Sequence, residues 1–340
     1  MDKQRLAEIA QAIVQPGKGI LAADESGGTI KKRFDTIGVT STEESRRAYR
    51  DLLFSTEGVE AYISGVILFD ETIRQSSHQD TPFSRLLADK GILPGIKVDK
   101  GAKPLAGFAG EKITEGLDGL RERMAEYREL GAKFAKWRAV ITIGDGIPTR
   151  FCLEANAHAL ARYAALCQEA GIVPIVEPEV LMDGRHNIAH CRAVTAETLR
   201  RVYDALFGHC VYLEGILLKP NMVISGQDCP QQASAEQVAE ATVSCFRQVV
   251  PAAVPGIVFL SGGQSSEQAT ENLNAMNAMG KHPWELSFSY GRALQAHALQ
   301  AWQGKSDNIA AAQRAFYHRA KCNGAARAGT YSRAMEETAA

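Results

Sequence analysis

Lys219 closes an apolar run, Glu214-Gly-Ile-Leu-Leu-Lys219-Pro-Asn221, where Pro220, which has no N–H to give a ladder, stops the strand. Burying an ammonium is costly, so a lysine at the inner end of a core strand either finds an anion or becomes partly neutral, and a neutral amine is a nucleophile. A snorkelling stem with its head in water accounts for one such lysine taken alone. Other segments, however, end in the same way. Lys136 and Arg138 flank Trp137, so on a strand they share a face and would raise the positive potential around Lys219, favouring its neutral form. Glu177 and Glu179 flank Pro178 and share a face likewise; one suits a general base, and both can balance the lysines' charge. Together these types suit Schiff-base formation with a carbonyl, the iminium then serving as an electron sink.

Such residues need elements that bring them together. Short runs rich in Val, Ile, Leu or Phe predict strands over 19–24, 65–70, 95–98, 134–143, 173–177, 215–218, 256–260 and 286–290. Helical patterns lie between them, at roughly 42–56, 116–130, 153–170, 195–207, 234–250, 265–279 and 292–303, with a weaker gap at 74–94. Alternation of this kind gives parallel pairing through right-handed crossovers, and eight units favour an α/β fold of one domain, a closed (β/α)8 TIM barrel over residues 1–325. An open doubly wound sheet is the alternative. Its GxGxxG fingerprint is absent after the first strand, where Ala23-Asp24-Glu25-Ser26-Gly27-Gly28 stands, and Walker A spacing is absent too.

In a barrel the carboxyl ends of the strands converge on one mouth. This sequence would place there Asp24, Asp70, Glu71, Lys97, Asp99, Lys136, Arg138, Glu177, Glu179 and Lys219, then Ser261-Gly262-Gly263 and Ser289-Tyr290-Gly291-Arg292. Singly, each has a plain structural account as a cap, a turn or a surface pair. Crowded into one concavity they indicate a functional site. Ser261-Gly262-Gly263 and Gly291-Arg292 both open helices, where free N–H groups and an arginine fork suit a phosphate, at the usual phosphate position of such barrels. Lys97 and Arg138, with Arg33, could hold a second anion, making the substrate a bisphosphate. The eight histidines show no HExxH pattern, so neither a metal nor another cofactor is expected.

Composition fits a small-molecule enzyme. With 340 residues, 45% hydrophobic, 23% charged and net charge −1, the chain lacks the basic footprint that nucleic acid or a membrane surface requires. Seven cysteines without CxxC spacing indicate neither zinc nor a disulfide framework and fit a reducing cytosol. Leu6, Ile9 and Ile13 recur at helical spacing rather than as a signal-peptide core, and no run approaches the roughly 18 apolar residues of a membrane span. A cytoplasmic location is expected.

Seven longer segments resemble the class I fructose-bisphosphate aldolases: Gly19-Ile-Leu-Ala-Ala-Asp-Glu-Ser26, Gly95-Ile-Lys-Val-Asp-Lys-Gly101, Phe134-Ala-Lys-Trp-Arg138, Gly171-Ile-Val-Pro-Ile-Val-Glu-Pro-Glu179, Tyr212-Leu-Glu-Gly-Ile-Leu-Leu-Lys-Pro-Asn-Met222, Phe259-Leu-Ser-Gly-Gly-Gln264 and Phe288-Ser-Tyr-Gly-Arg-Ala-Leu294. The resemblance implies a barrel, usually a homotetramer, that cleaves fructose 1,6-bisphosphate reversibly to dihydroxyacetone phosphate and glyceraldehyde 3-phosphate in glycolysis and gluconeogenesis, without metal. By the same resemblance Lys219 would attack the C2 ketone, Lys136 and Glu177 would move protons during carbinolamine dehydration, and Asp24 would orient the C4 hydroxyl. Glu177 would take that hydroxyl's proton, and Glu179 would support the lysine charges. Ser261, Gly262, Gly291 and Arg292 would bind the C1 phosphate, Lys97, Arg138, Arg33 and Thr29 would lie near the other, and Ser26, Gly263 and Ser289 would be further substrate-binding residues.

Two departures stand out. Thr29 replaces a serine common in the family, and the end, Gly329-Thr-Tyr-Ser-Arg-Ala-Met-Glu-Glu-Thr-Ala-Ala340, lacks the terminal tyrosine that many relatives use to exchange the enamine proton, leaving that donor unassigned. The composition of residues 326–340 suggests a mobile tail. The rival enzyme is another lysine-dependent ketose-phosphate lyase, such as a transaldolase-like barrel. A non-enzymatic binding barrel would require the charged mouth to be vestigial.

Overall fold

The computed structural model describes residues 1–337. Its strands β1 (Gly19–Ala23), β2 (Ile63–Leu68), β3 (Leu93–Lys97), β4 (Phe134–Ile141), β5 (Val173–Val180), β6 (Leu217–Leu218), β7 (Gly256–Phe259) and β8 (Glu285–Tyr290) pair in parallel in chain order. β8 returns to β1, Ile20 lying opposite Ser289 and Leu21 opposite Tyr290, so the sheet closes into the eight-stranded barrel. Helices Glu43–Ser55, Leu120–Glu129, Arg150–Glu169, Ile188–Gly208, Ala235–Val249 and Ser266–Ala278 stand in the intervals between strands, and Arg292–Trp302 follows β8.

The barrel is apolar at its floor and charged at its mouth, and strand parity produces both. On β4, Phe134 faces inward and fills the floor, Lys136 follows two residues later on the same face, and Trp137 points outward to stack on Tyr163 with ring centroids 5.6 Å apart. Gly95 makes room for Phe134: a Cβ there would come within 2.2 Å of the ring. Below the floor, helix Lys3–Ile13, whose N-cap Asp2 accepts from the Arg5 N–H at 3.0 Å, buries Leu6, Ile9, Ala10 and Ile13 against Ile175, Leu217 and Val258. One end of the barrel is thereby plugged, leaving the carboxyl ends of the strands as its open end.

Several boundaries move. β2 starts at Ile63, and Asp70, expected to end it, opens the short helix Asp70–Ile73. β6 keeps only two residues because Leu213–Gly215 make a 3-10 turn before it. β5 runs on to Val180, which brings Glu179 into the strand. The helix expected at 195–207 begins at Ile188, where the Asn187 side chain caps the His190 N–H at 2.9 Å; its polar first turns hide the apolar period. Helices Gly27–Asp35 and Ile309–Arg327 were not expected. Two glycines at its start mask the first, which forms because Ile30 and Phe34 are fully buried by the fold.

The segment expected to be mobile packs, as far as it is described, on helices Ser266–Ala278 and Ile309–Arg327. Tyr331 is buried, its N–H donating to Asn274 Oδ1 at 2.9 Å, and Glu336 meets Arg319. Residues 338–340 lie outside the described residues. Among the described residues no helix is long and apolar enough to cross a membrane.

Candidate active site

β5 and β6 bring Lys219 and Glu177 together. Lys219 directly follows β6, its N–H donating to Val176 O at 2.8 Å, and its Nζ lies 3.3 Å from Glu177 Oε1. The other oxygen of Glu177 lies 3.4 Å from Lys136 Nζ, so one carboxylate spans the side-chain nitrogens of two lysines. Lys136 Nζ also lies 2.7 Å from Asp24 Oδ2 and 4.0 Å from Asp99 Oδ2. Lys136, Glu177 and Lys219 are each under 5% exposed, so this network works where water screens it little.

Burial by itself would strip charge from Lys136, yet Asp24, Glu177 and Asp99 outweigh it and hold the lysine well above its ordinary range. Asp24 is the converse case. Burial favours its neutral form, but Lys136, Lys219 and Lys97 hold the carboxyl far below the usual carboxylate range. Lys136 is therefore a fixed ammonium and Asp24 a fixed carboxylate.

These residues line a cleft of about 870 Å³ at the barrel mouth. All five residues expected to be catalytic and all eleven expected to bind substrate border it. At the β7 and β8 ends, Gly262 and Gly263 have φ of 54° and 86°, and a Cβ on Gly263 would meet Met182 Sδ at 2.7 Å and Arg292 Nη2 at 3.5 Å. Ser289 is 1% exposed and its hydroxyl has no hydrogen-bond partner among the described residues. Glycine backbone, two serines and Arg292 thus converge on one corner, as a phosphate requires. Across the mouth stand Lys97 and Arg138, with Ser26 and Thr29, whose hydroxyls are 3.3 Å apart at the start of helix Gly27–Asp35.

Arg33 is placed differently from its expected grouping with Lys97 and Arg138. Its Nη2 would lie 3.5 Å from a Cβ on Gly291, which sets the guanidinium beside the β8 corner. Glu25 holds it there. That buried carboxylate binds Arg33 through Oε1 and Arg50 Nη2 through Oε2 at 2.6 Å, and accepts from Gln295 Nε2 at 2.9 Å. Glu179 pairs with Arg138, so it supports an arginine at the rim rather than the lysines. Asp70 and Glu71 also leave the site: Asp70 pairs with Arg74 at 2.9 Å and accepts from Tyr127 at 2.8 Å, and Glu71 pairs with Arg46 at 2.5 Å.

Four polar residues position this site, and of these only Asp99 was among those the sequence placed at the mouth. Asp99 accepts from Lys97 Nζ at 2.6 Å and from the Arg138 N–H at 3.2 Å; its two-residue spacing from Lys97 was the available signal. Glu25 and Gln295 become visible only when helices Glu43–Ser55 and Arg292–Trp302 pack beside β1. Asn221, just past Lys219, ties β6 to β5 by accepting from the Val180 N–H at 3.0 Å.

The profile of the class I fructose-bisphosphate aldolase family, described as glycolytic, matches residues 5–340. The chain belongs to this family. It is 60% identical over 332 residues to the probable fructose-bisphosphate aldolase class 1 of Xanthomonas campestris pv. campestris, covering 97% of this chain and 99% of that one. It is 56% identical over 331 residues to fructose-bisphosphate aldolase C of Mus musculus, covering 97% and 91%. Among solved structures, a fructose-bisphosphate aldolase from Plasmodium falciparum, in complex with TRAP and a small-molecule inhibitor, superposes with a TM-score of 0.96 at 52% identity, covering 97% of this chain and 96% of that one. The barrel and the lyase class follow from this membership.

Proposed function

We propose that Lys219 is the Schiff-base lysine in the reversible cleavage of fructose 1,6-bisphosphate to dihydroxyacetone phosphate and glyceraldehyde 3-phosphate. The observation that carries it is Glu177, buried between Lys219 at 3.3 Å and Lys136 at 3.4 Å. In this mechanism Lys219 gives a proton to Glu177 and adds as the free amine to the C2 carbonyl; Glu177 then returns that proton to the carbinolamine hydroxyl, water leaves, and an iminium and the Glu177 carboxylate remain. Lys136, kept cationic, donates to the developing charges. Asp24 orients the C4 hydroxyl, Glu177 accepts its proton, and the C3–C4 bonding electrons flow to the iminium, releasing the aldehyde and leaving an enamine. Glu179 holds Arg138 at the rim.

Ser261, Gly262, Gly263, Ser289, Gly291 and Arg292 hold the C1 phosphate, joined by Arg33. Ser26, Thr29, Lys97 and Arg138 meet the second phosphate. The enzyme works as a homotetramer in the cytoplasm, in both glycolysis and gluconeogenesis, and light scattering reporting a monomer would remove the oligomer from this reading. The mechanism is tested by borohydride reduction in the presence of dihydroxyacetone phosphate, followed by peptide mapping. The adduct is expected on Lys219, and an adduct on any other lysine overturns the assignment.

A further inference from the structure

Three metal-ligating side chains meet outside the cleft, where the C-terminal segment lies on helix Ile309–Arg327. His318 and Cys322 are four residues apart and so share one face of that helix, and Glu336 reaches them from the short helix Ala334–Glu337. His318 Nε2 lies 3.3 Å from Glu336 Oε2 and 3.5 Å from Cys322 Sγ, and the three ligand atoms all fall within 4.8 Å of one another. Zinc at tetrahedral angles, with bonds of about 2.1 Å to nitrogen and oxygen and about 2.3 Å to sulfur, needs N···O and N···S separations of about 3.4 and about 3.6 Å. Those two edges are already in place.

The surroundings also hold the carboxylate in position. Tyr331 donates to Glu336 Oε1 at 2.7 Å, and Arg319, fully buried, binds both of its oxygens. A carboxylate offers about four lone-pair sites, so it can keep these partners and still meet a metal, in the manner of outer groups that orient a ligand. Cys322 is fully buried while His318 and Glu336 are partly exposed, which leaves a side open for a water as fourth ligand. None of these residues borders the cleft.

We propose that His318, Cys322 and Glu336 form a binding site for a thiophilic divalent cation of the zinc class, which clamps the C-terminal segment to helix Ile309–Arg327. One nitrogen, one sulfur and one oxygen donor select such an ion over magnesium or calcium, which prefer oxygen alone. Cys322 binds as the thiolate and its proton passes to solvent. The site is structural and takes no part in the cleavage steps.

The test is titration of the reduced, chelator-treated full chain with Zn²⁺ against a competing chelating dye, alongside Co²⁺ absorption spectra and limited proteolysis. The wild type and C210S, which removes an exposed thiol elsewhere, are expected to bind one equivalent. H318A and C322S should bind at least tenfold more weakly, a loss at least as large as that from removing outer-shell groups. A thiolate-to-cobalt charge-transfer band should appear in the wild type and vanish in C322S, and Zn²⁺ should slow cleavage within residues 328–337 only when the three ligands are intact. Absence of stoichiometric binding, or equal affinity in H318A and C322S, overturns the proposal. If C322S does not fold, E336Q at the partly exposed ligand decides, and unchanged affinity there is equally fatal.

Discussion

Asp24→Asn separates the electrostatic role of this carboxylate from its chemical one. The 2.7 Å contact between Asp24 and Lys136 carries an attraction of about 6 kcal/mol at an effective dielectric near 20. Against it stands the cost of desolvating the carboxylate, several kcal/mol, which asparagine avoids. The difference is about 2 kcal/mol, the size of a hydrogen bond to a charged group. Glu177 at 3.4 Å and Asp99 at 4.0 Å remain to balance Lys136, which keeps the loss well below that of an orphaned buried charge.

The pH dependence follows from the depressed Asp24 carboxyl. A group held below its unfolded value near 3.8 stabilises the fold fully above that value and loses its contribution as pH falls further. Urea unfolding should therefore show wild type about 2 kcal/mol more stable than D24N at pH 7, the gap closing by about 1.4 kcal/mol per pH unit once the pH drops below about 4. In the same variant kcat should fall while KM for fructose 1,6-bisphosphate holds, because Asp24 acts on the C4 hydroxyl rather than on a phosphate. A gap that is absent at pH 7, or that widens in acid, refutes the electrostatic reasoning. A rise in KM with kcat intact refutes the assigned role.

Glu25→Gln should lower stability by about 3 kcal/mol, because Arg50 is 3% exposed and would lose its carboxylate, and should raise KM by freeing Arg33; thermal melts and steady-state kinetics read the two effects. Gly95→Ala should destabilise by about 1–3 kcal/mol or more through the 2.2 Å clash with Phe134 at the barrel floor, with the kcat of the folded fraction unchanged, a combination that denaturant unfolding with activity assays can check. Gly263→Ala, at φ 86° and 2.7 Å from Met182 Sδ, should weaken inhibition by inorganic phosphate severalfold, as competition kinetics would show.

The barrel and the core of its site were legible in the chain because both rest on local periodicities. Strand parity alone put Lys136 with Arg138 and Glu177 with Glu179 on shared faces, and the alternation of apolar runs with helical patterns implied closure. What escaped were elements whose local signals oppose their final state. Helix Gly27–Asp35 begins with two glycines, and the tail reads as low-complexity chain although Tyr331 and Glu336 dock it.

By itself, then, the sequence determined which residues reach the mouth of the barrel, because side-chain direction along a strand depends only on the chain's own geometry. Partners across the fold were decided by tertiary structure. Glu25 finds Arg33, Arg50 and Gln295, Arg33 turns to the β8 corner, and Glu179 takes Arg138 rather than a lysine. Asp24, just past β1, and Lys136, on β4, stand three strands apart around the barrel and meet only when it closes. Their charges are fixed by that meeting, because Coulomb attraction strong enough to overcome burial exists only at contact distance in a site screened from water.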